Sequence, residues 1–340
     1  MCILRLSAIG DTCHIVPVLR TMQKAWPATR FTWIIAKSES RLMRLIGGVE
    51  FIIVDKRAGL GGVAALRRDL DGRRFDVLLH MQVALRASLI ALQVSAAVKL
   101  GFDRPRAREL QWLFTNARIA ARSREHVLDS FFGFPAALGI KERLLRWDIA
   151  LPDAAEAYAR AQIPDAQRTL VISPCSSHVQ RNWRPERYAA VAEHAVRHHG
   201  MRVILSGGPS VLEQATGAAI VRAARVPLVN QIGRDTLPEL LALLARAAVL
   251  VSPDSGPVHM ATMVGTPVLG LYGATNPARS GPYLSREWCV NAYGAAARRF
   301  RHCEPEELPW TAKIEEPGVM DLIQVEEVIA RLDELLRSRP

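Results

Sequence analysis

The chain has 340 residues, which is too long for one ordinary domain and suits two of about 150 residues each. Its five cysteines are scattered, with no C-x-x-C pair and no zinc-type Cys/His spacing, so we expect a reducing compartment and no disulfide framework. Residues 1–150 hold 24 Lys and Arg against 13 Asp and Glu, whereas residues 151–340 hold 20 of each. This asymmetry predicts that the first half meets an anionic partner.

Short apolar strands alternate with helical segments in the first half. CILRLSAI predicts a strand, and the turn and helix GDTCHIVPVLRTMQKAW follow it. RFTWIIA, EFIIVD and FDVLLH predict further buried strands. The first charge comes at Arg5, and polar residues interrupt the longest apolar run at 87–98, so we expect neither a signal peptide nor a membrane-spanning helix. The alternation predicts a parallel sheet covered on both faces over residues 1–150.

The same pattern restarts in the second half, after a Pro- and Asp-rich linker predicted over residues 151–167. TLVISP, MRVILSGG, AVLVSPDS and PVLGLYG predict strands, and PERYAAVAEHAVRHHG and TLPELLALLARA predict helices between them. We therefore expect a second doubly wound domain over residues 168–316 and an amphipathic helix within 317–340. Ligands of such sheets bind outside the carboxyl ends of the strands, so we expect the active site in the cleft between the two domains.

The first strand-to-helix turn holds Ser7, Gly10 and Asp11, with His14 one helical turn further on. Aspartate is a good cap for a helix N-terminus. A carboxylate at the mouth of a strand also suits proton transfer from an acceptor hydroxyl. The two roles are compatible, and the residues alone leave both open.

A second turn, SPDSGPVH, follows the apolar strand AVLV and opens a helix. Exposed N–H groups at a helix start form an anion site, and Gly256 permits the close approach of a diphosphate. The alternative interpretation is a capped helix with a buried, hydrogen-bonded His259.

A third segment, SPCSSHVQRNW, places small hydroxyls and Arg181 after a strand. Hydroxyls and a guanidinium suit phosphate oxygens. The alternative is a polar surface loop whose Trp183 packs on the following helix.

Two stretches carry a family resemblance. RLSAIGDTCHIVPVL and PDSGPVHMATMVGTPVLGLYGATNPARSGPY resemble the motifs of the ADP-heptose:lipopolysaccharide heptosyltransferases, family 9 of the inverting glycosyltransferases. The similarity spans nearly the whole chain and is greatest to members that act on the Kdo of the lipid A inner core. It implies a GT-B fold of two Rossmann-like domains, with the acceptor on 1–150, the nucleotide sugar on 168–316, and the helix of 317–340 crossing back to the first domain.

The resemblance also implies roles by position. Asp11 matches the catalytic base of the family. Arg181 stands where lysine is usual, and Cys175 stands where glycine is frequent. The implied donor-binding residues are Ser176, Ser177, Arg181, Asp254, Ser255, Gly256, His259 and Thr275. The implied acceptor-binding residues are Ser7, Gly10, His14, Arg57, Arg86 and Arg118.

The implied reaction is transfer of heptose from ADP-heptose to Kdo, with no metal and no cofactor besides the nucleotide-sugar substrate. The implied partners are the anionic lipid A-Kdo acceptor and the anionic cytoplasmic face of the inner membrane, which predicts a cytoplasmic, peripherally bound enzyme. A GT-B transferase for another nucleotide sugar or glycan acceptor is the main alternative. A Rossmann oxidoreductase or epimerase lacks its fingerprint in the first turn, and nucleic-acid binding lacks a known motif, so we expect no nucleic-acid partner.

Three further patterns resemble functional motifs. The glycines of residues 59–64 fit G-x-G-x-x-A, but they do not directly follow a strand, so we predict no dinucleotide site. Asp69 and Asp71 form a D-x-D motif among arginines that compete for the carboxylates, so we predict no metal there. His198 and His199 end a helix and are interpreted as charge partners at its C-terminus.

Overall fold

The structure, a computed structural model, describes residues 1–165 and 167–339, with only the backbone at Leu60. Ala166, which falls in the predicted linker, and Pro340 lie outside the described residues. The chain divides into two compact units, one of residues 1–150 and one beginning at Leu151. Each unit is built on its own parallel sheet, so the prediction of two doubly wound α/β halves is confirmed.

The first unit alternates strands and helices as the sequence predicts. Its strands are β1 (Cys2–Leu4), β2 (Thr32–Ala36), β3 (Glu50–Val54), β4 (Phe75–His80), β5 (Ala96–Gly101) and β6 (Ala117–Arg118). Its helices are α1 (Ile9–Ala25), α2 (Lys37–Met43), α3 (Gly59–Leu70), α4 (Leu85–Gln93) and α5 (Val127–Ala137). The described strands form one sheet in the order β3-β2-β1-β4-β5-β6, so the chain order reverses direction between β1 and β4.

The second unit repeats this plan. Its strands are β7 (Thr169–Ile172), β8 (Arg202–Leu205), β9 (Val229–Asn230), β10 (Val249–Pro253), β11 (Val268–Tyr272) and β12 (Val290–Asn291). Its helices are α6 (Asp153–Gln162), α7 (Pro185–His199), α8 (Val211–Ala223), α9 (Leu237–Arg246), α10 (Gly256–Val264), α11 (Pro277–Ser280), α12 (Tyr293–Ala296) and α13 (Val325–Ser338). The described strands are ordered β12-β11-β10-β7-β8-β9, which reverses between β10 and β7.

Local sequence signals set the helix limits in the second unit. α7 has a proline at its first position, where a missing N–H costs nothing, and it ends at Gly200, whose φ of 62° is left-handed. α9 begins with a capping box in which Thr236 and Glu239 exchange side-chain and backbone hydrogen bonds. Among the described residues, no helix is both long enough and apolar enough to cross a membrane.

Two expectations about the second half need correction. Most of the predicted linker is the helix α6, whose Ala155 and Ala159 are buried against Ala242 of α9. The small alanine side chains let the two helices approach closely, and the flanking prolines hid this helix in the sequence. The terminal helix α13, expected to cross back to the first domain, belongs to the second unit, where Val328 and Leu332 join the core around its sheet.

Candidate functional site

The predicted turns lie at the reversal points of the two sheets. In the first unit, the Ser7–Asp11 turn follows β1, which pairs with β4. In the second unit, the turns after β7 and β10 start from neighbouring strands. Because parallel strands present their carboxyl ends at the same edge, each turn stands where open α/β sheets bind ligands.

Asp11 is the third residue of α1, and Ala8 is its N-cap, so Asp11 does not occupy the cap position itself. Its Oδ2 atom accepts a hydrogen bond from the Arg5 guanidinium and lies 3.5 Å from the N–H of Ala8. The side chain remains 31% exposed. Both contacts end on Oδ2, so neither of them uses Oδ1.

Arg5 is a site residue that the sequence interpretation did not single out, although it lies in the quoted RLSAIGD motif. Its second amino group donates to the carbonyl of Met81, at 2.6 Å, just beyond β4. Gln82 accepts from the N–H of Leu6 at 2.7 Å. These bonds join the ends of β1 and β4 and fix the guanidinium that orients Asp11.

The other predicted acceptor residues of this turn are less exposed. Ser7 is half-buried and Gly10 is buried. His14 is 2% exposed and packs edge-to-face against His126, with ring centroids 5.4 Å apart. This burial favours a packing role for His14 over direct contact with an acceptor. His80, at the end of β4, is also buried, and its burial lowers its pKa to about 4, so it is neutral at pH 7.

The three predicted acceptor arginines are exposed but do not form one cluster. Arg57 follows β3 at one edge of the sheet, and Arg118 lies on β6 at the opposite edge. Five strand spacings separate these edges, about 24 Å. Arg57 and Arg118 are therefore too far apart to contact one sugar ring. Arg86 lies in the first turn of α4, after β4, and is nearest to the Asp11 turn in strand order.

The turn after β10 opens α10 without a side-chain cap. Ser255 is the N-cap residue, but its hydroxyl is hydrogen-bonded to the Ser252 hydroxyl at 2.8 Å instead of capping the helix. Pro257 follows Gly256 and has no N–H to satisfy. The remaining N–H groups of the first turn and the positive end of the helix dipole therefore suit an anion.

Arg181 joins the turns after β7 and β10. Its guanidinium lies 3.9 Å from Asp254 Oδ2 and donates to Glu315 Oε1 from two nitrogens, at 2.8 and 2.6 Å. Asp254 also accepts from the Ser280 hydroxyl at 3.3 Å, and its side chain is only 13% exposed. The structure thus brings together Arg181 and Asp254, two of the residues predicted to bind the donor.

The sequence interpretation missed two charged residues here, Lys313 and Glu315. Partial burial lowers the pKa of Lys313, and the positive charge of Arg181 acts in the same direction. For Glu315, burial acts to raise the pKa, but the hydrogen bond and charge of Arg181 bring it below its ordinary value. No sequence pattern marks the KIEE segment, because it is more than 130 residues from Arg181 and reaches it only through the fold.

The remaining predicted donor residues differ in exposure. Ser177 is exposed, whereas Ser176, His259 and Thr275 are buried. The N–H of Ser176 donates to Asn182 Oδ1 at 2.6 Å, which closes the loop after β7. Trp183 packs edge-to-face on Tyr188 of α7, as the alternative interpretation of this loop predicts. Cys175 is buried, and burial raises its pKa, so this thiol is a packing group.

The three further motifs of the sequence lie outside the turns after β1, β7 and β10. Residues 59–64 form the start of α3, and Asp69 and Asp71 are exposed at its end. His199 pairs with Asp333 of α13 at 2.7 Å, and His194 shares the same carboxylate oxygen at 2.7 Å. This trio, at the far end of α7 from the Arg181 loop, could ligate a metal ion by its spacing and is not part of the predicted donor site.

Comparison with known proteins agrees with this architecture. The family "Glycosyltransferase family 9 (heptosyltransferase)" matches residues 63–308. The lipopolysaccharide core heptosyltransferase OpsX of Haemophilus influenzae is 38% identical over 98% of this chain and 96% of its own length. A family 9 glycosyl transferase structure from Veillonella parvula superposes with a TM-score of 0.80 at 21% identity, covering 99% and 97% of the two chains.

The E. coli heptosyltransferase WaaC, in a structure with ADP, superposes with a TM-score of 0.73 at 19% identity and covers 98% of this chain and 99% of that one. These structural matches give the fold, a GT-B arrangement of two α/β units. The family match and the 38% relative extend over most of the chain. The chain therefore belongs to glycosyltransferase family 9, the heptosyltransferase family, and is a glycosyltransferase.

Proposed function

We propose that this enzyme transfers heptose from ADP-heptose to the Kdo of the lipopolysaccharide inner core, with inversion at the anomeric carbon. The names of its relatives support the lipopolysaccharide core and the ADP-linked donor. The observation that carries the proposal is the charged arrangement at the second reversal point. There Arg181 faces Asp254 beside an uncapped helix start.

The donor diphosphate is proposed to bind at the start of α10. The first-turn N–H groups next to Ser255 and Gly256 donate to phosphate oxygens, and the Arg181 guanidinium adds a charge-assisted pair. Lys313, whose pKa is lowered by burial and by the charge of Arg181, supplies a second basic group near Arg181. These groups stabilise the charge that develops on the departing ADP, so the proposal requires no metal ion.

Asp11 is proposed as the general base. The Arg5 contact holds Oδ2, and Oδ1 takes the proton of the acceptor hydroxyl. The acceptor oxygen then forms a bond to the anomeric carbon as the bond from that carbon to the diphosphate breaks. ADP leaves with the bonding electron pair, and the configuration at the carbon inverts.

The acceptor is proposed to be the anionic lipid A-Kdo, bound by the first unit. The excess of arginine in the first unit favours binding of phosphate and carboxylate groups, because a guanidinium can form two parallel hydrogen bonds to either group. Arg86 is the acceptor arginine nearest the Asp11 turn in strand order. This acceptor places the enzyme at the cytoplasmic face of the inner membrane, bound peripherally to anionic lipid.

The test is a thermal-shift screen followed by a transfer assay. ADP-heptose should raise the melting temperature, by mass action on the folded state, while UDP- and GDP-sugars should not. Transfer to Kdo-lipid A should then proceed in EDTA at the rate seen with magnesium. Stabilisation by a UDP- or GDP-sugar alone would assign another donor. Activity lost in EDTA and restored by magnesium or manganese would overturn metal independence.

A further inference from the structure

The outer face of α4 is apolar. Leu85, Leu89 and Leu92 follow one another at spacings of four and three residues, so they form one line along the helix. They are between 44% and 59% exposed. The opposite face packs inward through Ala87, Ser88, Ile90 and Ala91. Single exposed leucines are common on soluble proteins, but three in one line along a helix form an apolar stripe.

Two more exposed leucines lie on the loop next to this helix. Leu110 and Leu113 are 55% and 58% exposed. Glu109 accepts a hydrogen bond from the N–H of Leu85 at 2.6 Å, which holds the loop against the start of α4. Together Leu85, Leu89, Leu92, Leu110 and Leu113 form what we call the leucine patch. Exposed apolar side chains grouped on one helix and the loop beside it are typical of an interaction site.

The loop is anchored. Gln111 is fully buried, and its side-chain amide donates to the carbonyls of His80 and Gln82 and accepts from the N–H of Phe102, at 2.8, 3.2 and 3.2 Å. Leu110 has a φ of 60°, a left-handed conformation that costs a non-glycine residue about 1–2 kcal/mol. The anchored Gln111 therefore holds the neighbouring leucine in a fixed, exposed position.

Basic and aromatic groups border the patch. Residues 81–118 hold six Lys and Arg against two Asp and Glu. The Arg104 guanidinium stacks 3.6 Å from the Trp112 ring centroid, and with Arg118 these side chains line a cavity of about 90 Å³. Asp103 and Glu125 pair with the neighbouring Arg106, but within residues 1–165 and 167–339 no ion pair engages Arg86, Arg104 or Arg118. Apolar side chains beside arginine and a half-buried tryptophan suit a bilayer surface.

We propose that the leucine patch docks the protein onto an anionic bilayer, with the five leucines entering the acyl boundary and Arg104 meeting lipid phosphates. The inference rests on the proposed lipid-linked acceptor and names the surface that reaches it. Charge selects the occupant, because the positive rim attracts anionic lipid and repels a second copy of the same rim. The two contributions act together, since apolar insertion and electrostatic attraction each give only marginal binding alone.

The test is cosedimentation with vesicles of phosphatidylcholine alone or mixed equally with phosphatidylglycerol. The wild-type chain should bind the mixed vesicles, and binding should fade with salt. Leu89→Ser combined with Leu92→Ser should lower the partition coefficient about tenfold or more. Arg104→Gln should lower it about fivefold. Val211→Ser with Leu212→Ser removes exposed apolar groups from α8 of the second unit and should leave binding unchanged.

Two results would overturn the proposal. One is that the Leu89→Ser, Leu92→Ser variant binds the mixed vesicles as strongly as the wild-type protein does. The other is a concentration-dependent dimer in sedimentation velocity without lipid that this variant abolishes, which would make the patch an interface between copies. Thermal shift with ADP-heptose on the same samples separates this inference from the proposed function. A wild-type protein that binds vesicles through the patch but does not respond to ADP-heptose would contradict the function alone.

Discussion

The turns after β1 and β10 use the same residue types for different purposes. Each pairs an aspartate with an arginine where a strand leads into a helix. In the first, Arg5 comes from the same turn, and Asp11 stays 31% exposed inside the helix. In the second, Arg181 comes from another turn and lies 3.9 Å from Asp254, whose side chain is only 13% exposed. The helix that follows Asp254 has no side-chain cap. The first arrangement presents a carboxylate, whereas the second presents cations and N–H groups.

This difference indicates that an aspartate in a motif gains its role from what surrounds it. A presented carboxylate suits proton transfer, and a covered one suits the orientation of a guanidinium. The comparison predicts that substitutions in the two turns affect different steps of one reaction.

The largest effect is expected for Asp11→Asn. The amide cannot take a proton, so turnover with saturating acceptor should fall by about 10²–10⁴. The amide oxygen can still accept from Arg5, so loss of the charge should cost only about 1 kcal/mol of stability, which a melting curve measures separately. Arg5→Lys keeps a positive charge near Asp11 and is the control for orientation. Near-normal turnover in Asp11→Asn would assign the base to another residue.

A smaller effect is expected for Arg181→Ala. Removal of one charge-assisted contact to the diphosphate should weaken ADP-heptose binding by about 10- to 100-fold. Arg181→Lys keeps the positive charge but lacks the paired N–H donors of the guanidinium, so it should retain part of the affinity. Calorimetric titration measures both variants. Equal affinity in wild type and Arg181→Ala would remove Arg181 from the donor site.

Asp235 differs from Asp11 and Asp254, because its partner is a hydroxyl and not a cation. Burial raises its pKa to about 6, although the Ser206 hydroxyl donates to it at 2.8 Å. The unfolded value is near 3.9. Because Asp235 holds its proton more tightly in the folded state, its contribution to the free energy of unfolding falls as the pH rises from about 4 to about 6 and then stays level.

Asp235→Asn keeps the shape and removes this charge. It should stabilise the protein by about 1–3 kcal/mol at pH 7 and have little effect below pH 4. Chemical denaturation of both proteins at the two pH values tests this. A variant less stable than wild type at pH 7 would show that the ionised carboxylate is favourable in the fold.

Much of the fold was predictable from sequence, because strand–helix alternation reports a parallel sheet directly. The α6 helix was not recognised, since prolines on either side resemble a linker. The placement of α13 against the first domain came from the family resemblance and was wrong, because the amphipathic pattern itself shows which face is buried but not which partner buries it. The Asp11 and Asp254 turns were found from local spacing. Lys313 and Glu315 were missed, because only the folded chain brings them to Arg181.

In the proposed mechanism the turn after β10 binds the donor, and Asp11 in the turn after β1 takes the proton of the acceptor. The most direct measurement is calorimetric titration of ADP-heptose into Asp11→Asn and Asp254→Ala, each with its melting temperature recorded. Asp11→Asn should keep the wild-type affinity, and Asp254→Ala should weaken it about tenfold or more, because it removes one of the two carboxylates that hold Arg181 in place. Unchanged affinity in Asp254→Ala, or a loss confined to Asp11→Asn, would contradict this mechanism.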